Sequence, residues 1–329
     1  MYEDFYNFRG RPFQLTPDLK FLYPSPGHKR ALSYLHYGLE QAEGFVIITG
    51  HIGTGKTLLI QTLLAELQDQ EIATARIAAA NVNEDNVLQM VASALKLPYE
   101  GKGKAALLRD MELSLRRAQD YLNGVLLIVD EAQELSTAAL EELRILSNLE
   151  CNGSALLQVF LVGQTELRTT LRDPSMEHLR QRTIASYHLE PLSVDETKRY
   201  VGFRMVAVGW DGEPNFDPDF YGAVHQHTGG VPRKINILMD RILVYGYLEE
   251  LREFGAEDVE DVVEEMSMEI AGDLSNTTAP AAPEDPEPVA VSTTSKALGK
   301  EASQLSRSDL EARLARLEEK LQKLAGDAS

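Results

Sequence analysis

The sequence predicts an α/β protein whose parallel sheet is covered by helices on both faces, and three observations predict that fold class. Five short apolar runs rich in β-branched residues indicate buried strands, at residues 45–49, 73–78, 125–130, 156–163 and 186–189. Helical patterns such as "TLLIQTLLAELQ" and "AALEELRILSNLE" separate most of them. A glycine-rich loop joins the first run to the first of these helices. Because parallel strands need long crossovers, this alternation favours a sheet buried between two helical layers.

The strand signals stop after Pro191, and four helical patterns follow. Each opens on Ser, Asp, Pro or a Gly-Ala turn, as helix starts commonly do. They are "SVDETKRYVGFRMVAVG", "DPDFYGAVHQHTG", "VPRKINILMDRILVYGYLEE" and "GAEDVEDVVEEMSMEI". We therefore expect an α/β domain over residues 1–191 and a small all-helical lid domain over 192–271.

The C-terminal part has a different composition. Residues 272–304 are rich in Pro, Ala, Ser and Thr and lack aromatic residues, which predicts a disordered, flexible linker. In "SDLEARLARLEEKLQKL" the leucines alternate at spacings of four and three, which predicts a short coiled-coil helix over 305–326. Ser308 and Glu311 can form its capping box. The alternative is a lone amphipathic tail helix, but its leucines would then have no core to enter.

Composition narrows the functional classes. The chain has 329 residues and a formal net charge of −19, from 51 acidic and 32 basic residues. Phosphate-backbone binding depends on clustered Lys and Arg, so this balance disfavours broad nucleic-acid binding. Cys151 is the one cysteine, which argues against a disulfide scaffold or a zinc site. No run approaches the roughly 18 to 20 apolar residues that span a bilayer. We expect a cytoplasmic protein without a transmembrane segment.

The glycine-rich loop "GHIGTGKT" fits the phosphate-binding pattern G-x-x-x-x-G-K-[ST] and stands between a predicted strand and a predicted helix, as that motif requires. Its glycines let the backbone wrap closely around a polyphosphate. Lys56 is expected to reach the β- and γ-phosphates of ATP, and Thr57 to offer its hydroxyl to Mg²⁺. The motif predicts a P-loop ATP site formed by Gly50, His51, Ile52, Gly53, Thr54, Gly55, Lys56, Thr57 and Leu58.

An acidic pair follows the third predicted strand, in "VLLIVDEAQ". We expect Asp130 to hold Mg²⁺, directly or through water, and Glu131 to polarise the attacking water as general base. The alternative is an acidic start that caps the following helix. The apolar run directly ahead of the two acids favours the catalytic interpretation. The letters "DEAQ" also occur in a helicase box, but no second set of helicase motifs follows, and we discount that interpretation.

Four further polar residues are candidates for contact with a nucleotide, bound either by the same subunit or by a neighbouring one. Gln164 ends the fourth predicted strand, either between Glu131 and the γ-phosphate or as a surface amide. Arg180 and Arg182 precede the last strand, where neither can easily reach its own P-loop. We expect one of them to act as an arginine finger on a neighbouring subunit, the alternatives being solvated helix charges or intersubunit salt bridges. Arg233 opens a helix, where a cation opposes the helix dipole, so we expect it to bind the nucleotide.

The order of these motifs resembles that of the AAA+ ATPases, over residues 1–271. Residues 1–50, with "PFQLTPD" and "FLYPSPGHKRALSYLHYG", resemble the opening of the general secretion pathway protein A family. Within that family, "ALEELRILSNLE", "LRQRTIASYHLEPLS", "VGWDG" and "HTGGVPRKIN" are similar to the ATPases that accompany exosortase (XrtA) and PEP-CTERM protein-sorting systems and exopolysaccharide loci.

The resemblance implies the AAA+ roles at matching positions, and it implies that "PFQLTPD" and His28 lie near the adenine. Secretion members carry a transmembrane segment and a periplasmic peptidoglycan-binding domain after the ATPase. This sequence continues instead into a linker and a leucine seam, so direct cell-wall remodelling is not expected. The implied assignments are phosphate and Mg²⁺ binding for Lys56 and Thr57, Mg²⁺ binding and hydrolysis for Asp130 and Glu131, sensor 1 for Gln164, the finger for Arg182 or Arg180, and sensor 2 for Arg233.

We therefore expect a Mg²⁺-dependent ATPase that forms homo-oligomers through its AAA+ modules. Its protein partners are expected in an envelope export or protein-sorting system, reached in part through the coiled coil and at the inner membrane. Two alternatives stay open. One is a DNA-associated ATPase of the transposition-helper type, although "HKR", "LRR" and "PRK" are isolated basic segments in an acidic chain. The other is a nucleotide-gated scaffold that barely hydrolyses ATP.

Overall fold

The computed structural model describes residues 1–16, 18–80 and 86–275. The predicted coiled coil and most of the predicted linker lie outside these residues. The strands are β1 Phe45–Gly50, β2 Ile72–Ala78, β3 Gly124–Asp130, β4 Glu150–Cys151, β5 Ser154–Ala155, β6 Gln158–Gly163, β7 Thr183–Leu189, β8 Asn215–Phe216 and β9 Glu253–Phe254. The helices are α1 Tyr2–Phe5, α2 Pro26–Gln41, α3 Lys56–Glu66, α4 Val87–Ala94, α5 Lys104–Ala118, α6 Thr137–Ser147, α7 Thr165–Arg172, α8 Glu177–Gln181, α9 Val194–Ala207, α10 Phe220–Thr228, α11 Pro232–Leu248 and α12 Ala256–Ser275.

A five-stranded parallel sheet forms the first part of the fold, in the order β2-β3-β6-β1-β7. Helices cover both of its faces: α4 to α8 pack on one and α2 with α3 on the other. Every residue of β1 and β6 is buried between them. This is why those strands are continuous apolar runs rather than alternating ones. The predicted α/β fold class is confirmed.

All five predicted strands form, with shifted ends. The fourth begins at Gln158 rather than at 156, because the chain first makes the antiparallel hairpin of β4 and β5. Asn152 and Gly153 take φ angles of 54° and 81° at its turn, as a two-residue hairpin turn of the primed type requires. The fifth begins at Thr183 rather than at 186, since its pairing with β1 extends back to Phe45.

The strand order brings three strand ends together. β6 pairs in parallel with β3 on one side and with β1 on the other. Gly50, Asp130 and Gly163 end these strands at the same edge of the sheet. In an open parallel sheet, ligands bind at this carboxyl edge. The loops that follow the three residues therefore mark the candidate site.

The second part consists of α9 to α12, the four helices that the sequence predicts. The structure adds a parallel strand pair that the sequence analysis did not predict, in which Asn215 pairs with Glu253 and Phe216 with Phe254. Two-residue strands are too short to show an alternating pattern. Helix α12 continues to Ser275, past position 272 where the linker was expected to begin. Among the described residues, no helix is both long and apolar enough to cross a membrane.

The N-terminal segment was expected to belong to the α/β domain of residues 1–191, but it packs against the helical part of the fold. Its side chains Tyr2, Tyr6, Phe8, Phe13 and Phe21 are buried in the core of the helical part, against α9, α10 and α11. Large aromatic side chains dominate core energetics, so the core that receives them decides where the segment lies. The segment then leads into α2, which packs on the sheet.

Arg204 on α9 fixes this segment to the helices. The residue is 6% exposed, and its guanidinium donates to the carbonyls of Pro12 and Gln14 at 2.6 and 3.2 Å. It also donates to the Tyr200 hydroxyl at 2.8 Å and lies 4.6 Å from the centre of the Phe21 ring. A buried cation needs compensating hydrogen bonds, and here two backbone carbonyls and a hydroxyl accept one from each nitrogen of the guanidinium.

Gly246 on α11 marks a close approach in the helical core, and replacing it tests that packing. A Cβ there would lie 2.1 Å from the Phe254 ring and 2.6 Å from the Tyr6 hydroxyl. We expect Gly246→Ala to lower the free energy of unfolding by about 1–3 kcal/mol through overpacking. Gly202→Ala on α9 is the matched control, because nothing lies within 4 Å of its Cβ. It should be neutral or stabilise by about 0.5–1 kcal/mol. Urea unfolding measures both changes, and equal midpoints for the two variants would contradict the expectation.

Candidate nucleotide site

A cavity of about 240 Å³, called the cleft below, lies between the P-loop and the helical part. Three parts of the chain line it. The N-terminal segment and α2 contribute Gln14, Leu15, Thr16, Asp18, Phe21, Leu22, Tyr23 and His28; the carboxyl edge of the sheet contributes Ile52, Gly53, Thr54, Gly55, Lys56, Thr57, Leu58, Glu131 and Gln164; the helical part contributes Leu192, Tyr200, Arg204, Pro232, Arg233 and Asn236. Gly50 and His51, also predicted to bind the cofactor, are absent from this lining and face Lys56 through their carbonyls.

Two glycines of the P-loop make the close approaches that the loop needs. Gly53 and Gly55 have φ angles of 83° and 98°, in the left-handed region that favours glycine. A Cβ at Gly53 would lie 2.6 Å from the Cβ of Arg233, and one at Gly55 would lie 2.8 Å from Nε2 of His28. The loop is therefore packed directly against α11 on one side and α2 on the other.

Lys56 begins α3 and is 8% exposed. Its Nζ donates to the carbonyls of Gly50 and His51 at 2.8 and 3.0 Å. Burial lowers the pKa of Lys56, and the carboxylates of Glu131 and Asp130 oppose that shift. An ammonium has three donors, and the P-loop carbonyls take two of them. The third is available to a phosphate oxygen.

His28 on α2 supports the P-loop. Its Nε2 lies 3.1 Å from the Thr54 carbonyl and its Nδ1 lies 2.7 Å from the Ser25 hydroxyl. Burial lowers the pKa of His28, which keeps the ring neutral. Because a carbonyl only accepts, the neutral ring carries its proton on Nε2, and Nδ1 accepts from Ser25. The side chain that the resemblance placed near the adenine thus also holds the loop backbone.

The two acids at the end of β3 have different surroundings. Asp130 is 7% exposed; one of its oxygens accepts from the Glu131 backbone N–H at 3.0 Å and the other accepts from Arg76 on β2. Glu131 is exposed and lines the cleft. Its backbone is left-handed, with φ 54° and ψ 37°, which costs about 1–3 kcal/mol for a residue other than glycine. This reversal turns its side chain away from the strand direction.

Two glutamine amides converge on Glu131. Gln164, at the end of β6, donates from Nε2 to Oε2 of Glu131 at 3.1 Å. Gln133 donates to the same oxygen at 2.8 Å. These hydrogen bonds, with the nearby Lys56, lower the pKa of Glu131. Gln133 is not among the residues predicted from the sequence, although it belongs to the "DEAQ" letters. Its amide, two residues beyond Glu131, was the signal that could have indicated it.

The donor set fits Mg²⁺, which prefers hard oxygen ligands. Thr57 lies in the cleft and offers a hydroxyl, and Asp130 with Glu131 supplies carboxylates. Among the described residues, no group of three or more His, Cys, Asp or Glu could hold a metal ion by itself. Mg²⁺ characteristically keeps several waters and binds through one or two carboxylates plus substrate phosphates. The residues present match that mode of binding.

The three predicted arginines occupy two different places. Arg233 lies in the cleft, and its backbone N–H donates to the Gly53 carbonyl at 3.2 Å. No carboxylate of the described residues forms an ion pair with its guanidinium. The carbonyl of Arg182 instead accepts from the Phe45 N–H at 2.9 Å, at the amino edge of the sheet. The whole length of β1, about 17–20 Å at ~3.3 Å per residue, separates it from the P-loop.

Arg180 is held by its own subunit. Its guanidinium donates to the carbonyls of Leu171 and Asp173 at 2.6 and 2.7 Å and also contacts the Glu177 carboxylate. Arg182 has fewer partners: it donates to the Ser147 carbonyl at 3.2 Å and lies 3.9 Å from the Glu150 carboxylate. Neither arginine lines the cleft.

Comparison with known proteins agrees with this geometry. Residues 39–171 match the AAA domain family. Among solved structures, the chain is similar to Cdc6p from Pyrobaculum aerophilum, with a TM-score of 0.60 and 18% identity over 77% of this chain and 70% of that one. It is also similar to the ORC2 protein of Aeropyrum pernix in its ADPNP–ADP complexes, with a TM-score of 0.56 and 17% identity over 78% and 71%. The chain has the AAA+ fold.

The chain is also similar to a protein with which it shares a higher sequence identity. General secretion pathway protein A of Aeromonas hydrophila is 39% identical over 254 residues, which is 75% of this chain. The match spans 45% of that protein's length, so the chain covers less than half of the relative. Over the matched residues, the chain is therefore similar in sequence both to the AAA domain family and to this relative.

Acidification tests whether His28 is held neutral. An unperturbed histidine titrates at about pH 6.5, and burial places the pKa of folded His28 below that value. Its contribution to stability is therefore fully present above about pH 6.5 and is lost as the pH falls through the folded-state pKa. Between about pH 7.5 and 5, the wild type should lose more free energy of unfolding than His28→Gln. Urea unfolding at both pH values measures this, and equal losses would show that His28 is not held neutral.

Proposed function

We propose that this protein binds ATP with Mg²⁺ in the cleft and hydrolyses it to ADP and phosphate. The convergence of Lys56, Glu131 and Gln164 on one cleft carries the proposal. A P-loop by itself binds a nucleotide, whereas a carboxylate beside it supplies the base that hydrolysis requires. The AAA+ fold and the match to the AAA domain family support nucleotide binding.

Each side chain has one task in this proposal. Lys56 neutralises charge on the β- and γ-phosphates, and Thr57 and Asp130 hold the Mg²⁺, which offsets the charge that develops during transfer. Glu131 accepts a proton from the water that attacks the γ-phosphorus. Gln164, which contacts Glu131, orients that water. The hydrogen bonds that lower the pKa of Glu131 favour the carboxylate, the form able to accept a proton.

Two arginines complete the charge stabilisation. Arg233 binds the γ-phosphate from α11, which already contacts the P-loop at Gly53. Arg182 acts in trans as the finger in a homo-oligomer, where it stabilises charge on a neighbour's nucleotide. We favour Arg182 over Arg180, because Arg180 would have to break three hydrogen bonds within its own subunit to reach a neighbour.

We further propose that ATP turnover is coupled to an envelope secretion, protein-sorting or exopolysaccharide-export system. The identity to general secretion pathway protein A supports the link to secretion. The motifs quoted from residues 139–236 support the narrower place beside exosortase systems. In this proposal the predicted coiled coil over 305–326 binds protein partners, and those partners bring the ATPase to the inner membrane.

Glu131→Gln tests the chemistry. The amide cannot accept the proton from water, so we expect turnover to fall by about 10²–10⁴-fold, with the affinity for ATP retained. Phosphate release at saturating ATP and titration with a fluorescent ATP analogue measure the two quantities. Glu257→Gln, on the exposed side of α12, is the matched control. Unchanged turnover in Glu131→Gln would exclude Glu131 as the general base. No turnover in the wild type under any condition would favour a nucleotide-gated scaffold.

Arg182→Ala tests the finger. Specific ATPase activity of the wild type should rise with protein concentration as the oligomer forms. In the variant it should stay lower by about 10³-fold, while light scattering shows the same assembly. Arg117→Ala, an exposed arginine at the end of α5, is the control and should behave as the wild type. A variant that assembles and hydrolyses ATP normally would exclude Arg182 as the finger.

A further inference from the structure

Gln133 forms hydrogen bonds with two residues that the proposed function uses. It lies in the 3₁₀ turn Ala132–Glu134, directly after the left-handed Glu131. Its Nε2 donates to Oε2 of Glu131 at 2.8 Å, and its Oε1 accepts from the backbone N–H of Gln164 at 2.8 Å. One side chain therefore connects the turn after β3 to the end of β6.

The two contacts fix the orientation of the Gln133 amide. A carboxylate oxygen only accepts, so the NH₂ group must face Glu131. A backbone N–H only donates, so the carbonyl oxygen must face Gln164. Exchanging the two ends of the amide would lose both hydrogen bonds. The arrangement therefore has a single orientation in which every group is satisfied.

The neighbouring backbone leaves just enough room for this side chain. A Cβ at Gly163 would lie 3.0 Å from Oε1 of Gln133 and 3.2 Å from its backbone nitrogen. Ala132 and Leu135, on either side, are buried and anchor the turn in the core below the sheet edge. The position of Gln133 is thus set by the core, and Glu131 is held in turn through Gln133.

Gln133 and Gln164 both bind the same oxygen of Glu131. Gln164 reaches Oε2 at 3.1 Å from the other side. Within the described residues, Oε1 of Glu131 accepts no hydrogen bond. Two donors on Oε2 hold the carboxylate in one rotamer and leave Oε1 to accept from a water. Glu131 is exposed and its backbone is strained, so without these donors its side chain would be free to sample other rotamers.

We infer that Gln133 is a positioning residue: it holds the Glu131 carboxylate, together with Gln164, so that Oε1 faces the attacking water. The inference rests on the proposed hydrolysis for its kinetic consequence. Its structural consequence, the fixed place of the Glu131 carboxylate, does not depend on turnover. Gln133 acts through Glu131 and has no contact with substrate assigned to it.

Gln133→Glu is the sharpest variant. It keeps an oxygen for the Gln164 N–H but sets a second carboxylate oxygen against Oε2 of Glu131. Gln133→Ala removes both contacts without adding charge. Because displacing a catalytic group by about 1 Å can cost about 10²-fold in rate, we expect kcat to fall by about 10- to 100-fold in both variants, with the Kd for ATP unchanged. Gln119→Glu, the same change on the exposed end of α5, should leave both quantities unchanged.

Gly163→Ala gives an independent route to the same result. The added methyl would lie 2.9 Å from Cδ2 of the buried Leu167 and 3.0 Å from Oε1 of Gln133, so it crowds both while every polar side chain of the site is retained. We expect the same split, a lower kcat with an unchanged Kd for ATP. Wild-type kcat in Gln133→Ala and Gln133→Glu would overturn the inference. A raised kcat would overturn it as well, as would a fall fully explained by weaker ATP binding or lost thermal stability.

Crystal structures of the wild type and Gln133→Ala separate this inference from the proposed function. We expect the Glu131 carboxylate to occupy one position in the wild type and to leave it in the variant. A carboxylate in the same place in both structures overturns the positioning role, whatever the turnover. A wild type that never hydrolyses ATP refutes the proposed function instead, and the displaced carboxylate still supports the role of Gln133.

Discussion

The parallel pairing of β3, β6 and β1 is the constraint on which the site depends. Side-by-side parallel strands end at the same edge, so the residues that follow each strand meet in space although they are far apart in sequence. Lys56 follows β1, Glu131 follows β3 and Gln164 follows β6. Had one of these strands run antiparallel, its polar end would lie at the opposite edge, where Arg182 lies.

The second wall of the cleft comes from a core that the sheet does not share. The N-terminal aromatic side chains enter the helical part, and Arg204 holds the backbone of Pro12 and Gln14 against α9. This segment then passes to α2, where His28 supports the P-loop. One continuous stretch of chain thus connects the helical core, the wall of the cleft and the phosphate loop.

Adjacent acids at the end of β3 differ because the backbone changes conformation between them. Asp130 keeps the strand conformation, is nearly buried and pairs with Arg76 and the Glu131 N–H. Glu131 is left-handed, and its exposed side chain lines the cleft, where the amides of Gln133 and Gln164 donate to it. The burial of Asp130 and its two hydrogen-bond partners thus suit it to a fixed structural or metal-binding task. The Glu131 side chain is exposed and therefore accessible to water.

The sequence by itself determined the strands, the P-loop and the acidic pair, because each depends on residues that are neighbours in the chain. Continuous apolar runs require burial on both faces, and the glycines with Lys56 form their loop locally. Only the tertiary structure decided that Gln133 binds Glu131, that Arg204 holds the N-terminal segment and that the first aromatic residues join the helical core. Those contacts join residues from separate elements, and their geometry follows from strand order and helix packing, which no local pattern of residues encodes.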